Sequence, residues 1–394
     1  MCVYLLSLLL LGACQRMFDS RPQYVSIASQ NVHAVPVAVI TSLRFRSLAA
    51  GYSHMCGLAA GKATAYCWGS NEYLQLGSSS GLTRCDAGAT ACSPAPLPVS
   101  PPQAFASLAA SLRNSCGVDT TGRGWCWGFG IGGQLGNGLA TDSATPVEVA
   151  LAVPFSQIFL GGSGLIACGL TTAGTGWCWG PGGGGGGLGD GSTNGSDAPV
   201  AIAGNLHFDT LAVGDEHACG LAAGVAYCWG HDLYGALGAG VPGASSVPVP
   251  VAGGHTFAAI AAGLTHTCGI ATDGAAWCWG FPPSVGSAVS DSFVLTPLRV
   301  AGNHVFASVS AGGNATCALE TDGRAWCWGQ NAGGVLGDGS QIDRPAPVPV
   351  ATSVRFVLLR VGGVQACGLD AGGVAYCWGT DKFGSVGVPP DPGT

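Results

Sequence analysis

Apolar positions in this chain come in short runs, about five or six residues long, set apart by turn residues. Residues 257–262, 265–270, 275–280 and 296–300 show the pattern. Each run is short and bounded by turn residues, and so reads as a strand. Gly263, then Thr272-Asp273-Gly274, then a longer Pro/Ser/Gly stretch separate the four. These residues suit tight turns because Gly takes positive φ and Asp bonds its own backbone.

The four-strand unit repeats. Cys-Trp-Gly occurs seven times, with its indole at Trp68, Trp127, Trp179, Trp229, Trp279, Trp328 and Trp378. A second cysteine lies nine to eleven residues before each triplet. A phenylalanine stands further upstream (Phe45, Phe105, Phe155, Phe208, Phe257, Phe306 and Phe356), preceded in turn by a Pro-Val or Pro-Leu step. Four landmarks in register seven times define a module of about 50 residues, and four short strands per module predict a propeller blade. The expected fold is all-β: a seven-bladed β-propeller of four-stranded blades with one disulfide per blade.

Two details refine the prediction. In Trp277-Cys278-Trp279 the indoles share one strand face and the sulfur takes the other. Large rings on one face suit the wedge between neighbouring blades. The last module has no Pro-Val strand after it, and residues 35–40 form a spare one before the first phenylalanine. That segment is expected to complete the final blade.

Residues 3–11 form an apolar run too short to span a bilayer. It suits a secretory signal. Leu11-Gly12-Ala13-Cys14 resembles the lipobox of bacterial lipoproteins. The resemblance implies a signal peptide over residues 1–13, lipidation at Cys14, a tether over 14–33 and the propeller over 34–394. It places the protein in the bacterial cell envelope, as an outer-membrane lipoprotein or a secreted form, touching membrane through its lipid anchor only.

Composition narrows function. Charged residues make up 9% of the chain, the net charge is -7 and no basic run exists. Nucleic acid is therefore not an expected partner, since its binding needs clustered Lys and Arg. Glycine supplies 67 positions, which disfavours helices.

Eighteen cysteines fall into pairs once Cys2 and Cys14 are set aside. Cys56/Cys67, Cys116/Cys126, Cys168/Cys178, Cys219/Cys228, Cys268/Cys278, Cys317/Cys327 and Cys367/Cys377 belong to the modules; Cys85/Cys92 lies in the longest insertion. Export and a hairpin-sized separation favour disulfides. Zinc is the alternative, but it takes four ligands together, and these pairs fall in seven different modules. No cofactor and no metal is expected.

The pattern Phe…Cys-Gly-Leu…Tyr/Trp-Cys-Trp-Gly…Leu-Gly…Pro-Val resembles the regulator-of-chromosome-condensation repeat, best over residues 45–77 and 306–337. Modules five and seven depart from it, reading Ser284-Val285-Gly286 and Ser385-Val386-Gly387. The resemblance implies a seven-bladed propeller that recognises proteins through loops on one face. Its relatives include nucleotide-exchange factors, ubiquitin-ligase modules and secreted enzyme inhibitors, so fold alone does not assign function.

The leading expectation is a monomeric, non-catalytic module binding an unidentified protein or surface ligand through the loops after each Cys-Trp-Gly. Those loops carry Tyr73, Phe129, His231, Asp232, Tyr234, Phe281, Lys382 and Phe383. The alternatives are a polysaccharide hydrolase or lyase, which needs facing carboxylates, and, by family analogy, a guanine-nucleotide exchange factor. His54, His217 and His266 recur at one module position, two residues before a cysteine, and read as structural. The glycine run at 182–187 reads as a flexible loop lacking the Lys-Ser/Thr of a phosphate-binding loop.

Overall fold

The seven Phe-to-Pro modules fold into seven antiparallel sheets, described by a computed structural model over residues 32–85, 90–290, 292–381 and 383–388. Blade 5 shows the plan. Its inner strand is Phe257–Ala262, its second His266–Ala271, its third Ala276–Gly280 and its outer Val294–Arg299. The other blades repeat the order, with second strands at His54–Ala59, Asn114–Asp119, Ala167–Thr171, His217–Ala222, Ala315–Glu320 and Gln365–Asp370. Blade 1 gains a fifth, edge strand, Thr83–Cys85, from the long insertion.

The ring closes as the spare Pro-Val segment predicts, with shifted bounds. Val32–Ala38 is the outer strand of blade 7, pairing antiparallel with Ala375–Thr380. It starts three residues before the expected 35–40, so Val32 and His33 belong to the sheet and not to a tether. The chain divides into two units, Met1–Gln30 and Asn31–Thr394, and the described residues belong to the second. The expected signal peptide, Cys14 and most of the tether lie outside the described residues.

Register explains the landmarks. In every blade the two cysteines face each other across the second and third strands, as in Cys56↔Cys67 and Cys268↔Cys278. Disulfides join Cys56 to Cys67, Cys116 to Cys126, Cys168 to Cys178 and Cys219 to Cys228 in blades 1 to 4. Blades 5 to 7 carry Cys268–Cys278, Cys317–Cys327 and Cys367–Cys377. Within each of these seven bonds the Cα atoms are 4.0–4.1 Å apart. An eighth bond joins Cys85 to Cys92. On the outer strand the residue after proline opposes the second cysteine, as in Val147↔Cys126, Val200↔Cys178, Val249↔Cys228 and Val348↔Cys327. A register shift adjoins that pair in each of these strands. Proline offers no N–H, so an edge strand can carry it and is less able to recruit another strand.

The core lies between blades. Cys56, Leu58, Cys67 and Leu76 of blade 1 pack against Phe105 and Trp127 of blade 2. Cys116 and Cys126 of blade 2 meet Phe155 and Trp179 of blade 3 in the same way, and Cys168 and Cys178 of blade 3 meet Phe208 and Trp229 of blade 4. Cys367, Cys377 and Val386 of blade 7 pack with Val39 against Phe45 and Trp68 of blade 1, so the same kind of core continues across the closure. Both Cys126 and Cys178 are fully buried, so these sulfurs are core atoms and no part of a binding surface. The predicted split of strand faces holds: Trp279 packs towards blade 4, while Cys278 packs towards blade 6.

Candidate binding face

In each blade the inner-to-second loop and the third-to-outer loop emerge on the same side, because the first and third strands run parallel. Contacts tie them together. Asn314 Nδ2 donates to Gln330 Oε1 at 2.9 Å, and His231 Nδ1 lies 3.1 Å from Glu216 Oε2, an ion-pair distance without hydrogen-bond alignment. Burial pushes the Glu216 carboxyl up; His231 opposes that shift and Asp215 adds to it. This side, here termed the loop face, holds the seven predicted contact positions that lie among the described residues.

Neighbouring blades are joined beneath it by their tryptophans. Trp127 Nε1 donates to Gln75 O of blade 1 at 2.9 Å, Trp279 Nε1 to Ala236 O at 2.8 Å and Trp378 Nε1 to Val335 O at 2.8 Å. Trp179, Trp229 and Trp328 do the same, and Trp68 Nε1 reaches Ser385 O at 3.0 Å across the closure. The Leu-Gly step follows from this. A Cβ on Gly136 would lie 2.6 Å from Trp179 Nε1, and one on Gly238 would lie 2.7 Å from Trp279 Nε1. Val285 and Val386, where the leucine is missing, are fully buried in its place.

Three residues after four of the tryptophans, an Asx oxygen brackets the loop. Asn71, Asp232, Asn331 and Asp381 each accept the N–H five residues on at 3.0 Å. Asp232 also accepts Gly243 N at 2.9 Å with its other oxygen. Both its oxygens serve the loop, a role visible in sequence only when the modules are aligned on tryptophan.

The aromatic candidates form two equivalent pairs, each bridging two blades. Tyr73 meets Phe129 edge-on at 5.9 Å, and Tyr234 meets Phe281 at 5.0 Å. Tyr73, Phe129, Phe281, Phe383 and His231 are half-buried; Tyr234 is exposed. Lys382 lies outside the described residues. Sequence reading missed Phe293, which stacks on Tyr234 at 5.9 Å, and Arg113, which lies over the Tyr73–Phe129 pair. It also missed how apolar the face is. Of fifteen exposed large hydrophobic residues among those described, eight lie on these loops: Leu74, Ile131, Leu139, Leu233, Tyr234, Val241, Phe293 and Ile342. Leu74 holds φ +67° where the aligned loops have Gly133, Gly235, Gly334 or Gly384, a conformation costly for a side chain.

The glycine run corrects an expectation. Residues 182–187 are not a loose loop. A Cβ on Gly185 would fall 2.8 Å from His231, one on Gly186 2.5 Å from Ser246 and one on Gly187 2.4 Å from Ile166. Gly185, Gly186 and Gly187 are glycine because blades 3 and 4 leave them no room, whereas Gly182, Gly183 and Gly184 hold positive φ.

The three consensus histidines are buried and structural. His54 Nε2 pairs with Ser115 Oγ at 2.8 Å, His217 with Thr267 at 2.9 Å and His266 with Thr316 at 2.7 Å, each in the next blade. Burial lowers them to about 3, about 4 and about 3, so all are neutral at pH 7. The hydroxyl appears only where the preceding blade supplies a histidine; elsewhere that position is Met55, Ala167, Ala218 or Ala366.

At the centre, inner-strand ends such as Gly51, Gly162, Gly263 and Gly362 enclose a cavity of about 50 Å³. That is room for a few waters and too little for a sugar or nucleotide. Among the described residues no group of three His, Cys, Asp or Glu could hold a metal. No helix among them is long and apolar enough to cross a membrane.

Comparison with known proteins matches the modules directly. Models of the Regulator of chromosome condensation (RCC1) repeat match residues 45–75, 257–282 and 306–334 in one form and 121–168 and 322–368 in another. The solved structure of human WBSCR16 superposes with a TM-score of 0.74 at 20% identity, covering 88% of this chain and 90% of that one. Prp20p of Saccharomyces cerevisiae gives 0.69 at 20% identity, covering 86% and 82%. The human E3 ubiquitin-protein ligase HERC2 is 29% identical over 187 residues, which is 45% of this chain and 4% of that protein. Segments of this chain thus match regulator-of-chromosome-condensation repeats, and the chain shares its seven-bladed propeller fold with these solved structures.

Proposed function

We propose that the chain is an exported, lipid-anchored propeller that binds another protein through its loop face, without catalysis. The observation that carries this is the concentration of exposed apolar side chains on that face, around the Tyr234–Phe281–Phe293 cluster. Aromatic anchors on a rigid frame favour binding, because little side-chain freedom is lost on contact. Solved relatives support protein recognition as the use of this fold: one yeast structure is of Prp20 bound to Kap60, and another concerns Prp20p binding to Gsp1p and histones. Eight disulfides fit an oxidising compartment, which argues against an intracellular exchange factor. Loop-face carboxylates such as Asp232, Asp338 and Asp381 bracket backbone or pair with Arg344, which argues against a hydrolase.

The test is capture of partners from envelope extract by the full chain and by two triple variants. Changing Leu233, Tyr234 and Phe293 to Ser should abolish a specific capture. Changing Val153, Val305 and Ile40, exposed on the opposite side, should leave it intact. Loss in the second variant alone rejects the loop face. Turnover in a glycan-hydrolysis screen rejects the non-catalytic reading. For the anchor, Cys14→Ser should move the protein from the membrane to the soluble fraction.

A further inference from the structure

Arg113 stands at the tip of the inner-to-second loop of blade 2. Its guanidinium carbon lies 5.1 Å from the Tyr73 ring centre and 5.2 Å from that of Phe129. The two rings meet nearly at right angles, 82°, and so form a corner that holds the guanidinium plane. Arg123, Arg324 and Arg344 each have a carboxylate within 4 Å; among the described residues Arg113 has none. Its Nε is buried without a hydrogen-bond partner, whereas Nη1 and Nη2 are not enclosed in this way. The guanidinium therefore offers its outer, two-nitrogen edge. Next to it, Gln75 is fully buried, its Oε1 accepts Tyr73 N at 2.8 Å and its Nε2 has no partner. Arg113 Nε and Gln75 Nε2 are thus two buried donors without a partner.

We propose that the Tyr73–Phe129–Arg113 corner is a carboxylate receptor on the loop face. A carboxylate is acceptor-only and matches the guanidinium edge with two parallel bonds. The rings have already fixed the arginine, so the pair forms without ordering a free side chain. The ligand carries a single negative charge. Over the loop face as a whole, the described residues Glu72, Asp142, Asp190, Asp232, Asp338 and Asp343 outnumber Arg84, Arg113 and Arg344. A phosphate dianion meets that repulsion with only one cation to offset it. The ring faces beside the fork favour an apolar group next to the carboxylate. The inference deepens the protein-binding reading and rests on it for its setting: the carboxylate belongs to an acidic side chain or chain terminus of the partner.

The test follows the Arg113 Nε–H resonance in the full chain labelled with ¹⁵N-arginine, assigned by its absence in Arg113→Lys. Four probes are titrated: N-acetylphenylalanine, a capped Phe-Asp dipeptide, N-acetylphenylalanine amide and inorganic phosphate. A saturable shift with either carboxylate probe supports the receptor. The tighter of the two names the terminal or the side-chain source. Arg113→Lys keeps the charge but not the fork; followed through the probe's own NMR signals instead, it should weaken binding about tenfold with an unchanged melting temperature. Phe129→Leu should weaken it as well. No shift, an equal shift with the amide, or tighter binding of phosphate overturns the proposal. None of these readouts depends on Leu233, Tyr234 or Phe293, so failure here is separable from failure of the capture experiment.

Discussion

At the residue scale, the chain uses a few side chains many times. The tryptophan of Cys-Trp-Gly is a strut into the preceding blade, and the glycine of Leu-Gly is the space it needs. Gly238→Ala puts a Cβ 2.7 Å from the Trp279 indole at φ +66° and should cost about 3 kcal/mol. Gly138→Ala has similar φ, +78°, but nothing within 4 Å, and should cost about 1 kcal/mol. Equal losses in chemical denaturation would rule out the strut explanation. The histidines predict a pH dependence. They ionise near 6.5 in the unfolded chain and at about 3 or 4 in the fold. As pH falls, the unfolded state takes up the protons first. Stability is therefore full above 6.5 and declines towards pH 4, by about 1.4 kcal/mol per unit for each histidine. Changing all three to Gln, the residue blade 7 has at this position (Gln365), should flatten that decline. The position of these histidines was legible in the sequence. Their purpose was not, because the hydroxyl each one meets lies 50 or 61 residues away and becomes a partner only when blades stack.

At the scale of the element, the blade was almost fully legible. Strands, turns and cysteine pairs repeat with a period that only four short strands satisfy, and seven copies average out local ambiguity. Strand ends were read less well. The closing strand begins at Val32, not Val35, because its first pairs, with Thr380 and Gly379, lie beyond a register shift that no residue pattern signals. The glycine run was misread for a related reason: the constraint on its second half comes from Ile166, His231 and Ser246, which lie elsewhere in the sequence, so nothing within the run reports it. Each blade disulfide closes a short loop. Cys219→Ala with Cys228→Ala should lower stability by about 3 kcal/mol, measured by denaturation against the intact chain. Removing Cys116 with Cys126, or Cys168 with Cys178, should cost nearly the same, because the loops are of similar length and the Cα separations are 4.0–4.1 Å in all three.

For the whole molecule, the ring and its two sides followed from counting modules, whereas the character of the loop face did not. Sequence indicated where the loops are. It could not indicate that Tyr73 meets Phe129, that Arg113 lies over both, or that the exposed apolar residues of several blades gather on one side. Those facts depend on how far each blade turns from the last. Closure makes its own prediction: deleting residues 32–38 leaves the Ala375–Thr380 edge bare and removes part of the blade 7 to blade 1 core, and should lower the melting temperature sharply. An unchanged temperature would show that the inter-blade cores hold the ring without it.

The pairing of Val32–Ala38 with Ala375–Thr380 also sets an order of events. The earliest strand to leave the ribosome or a translocation pore has to wait for the latest one. Until then Trp68 lacks its acceptor, Ser385 O, and blade 1 presents an uncovered apolar side. Assembly therefore ends with a long-range search by a seven-residue segment, at the stage when the nascent protein is most exposed to proteases and to unwanted association with its neighbours.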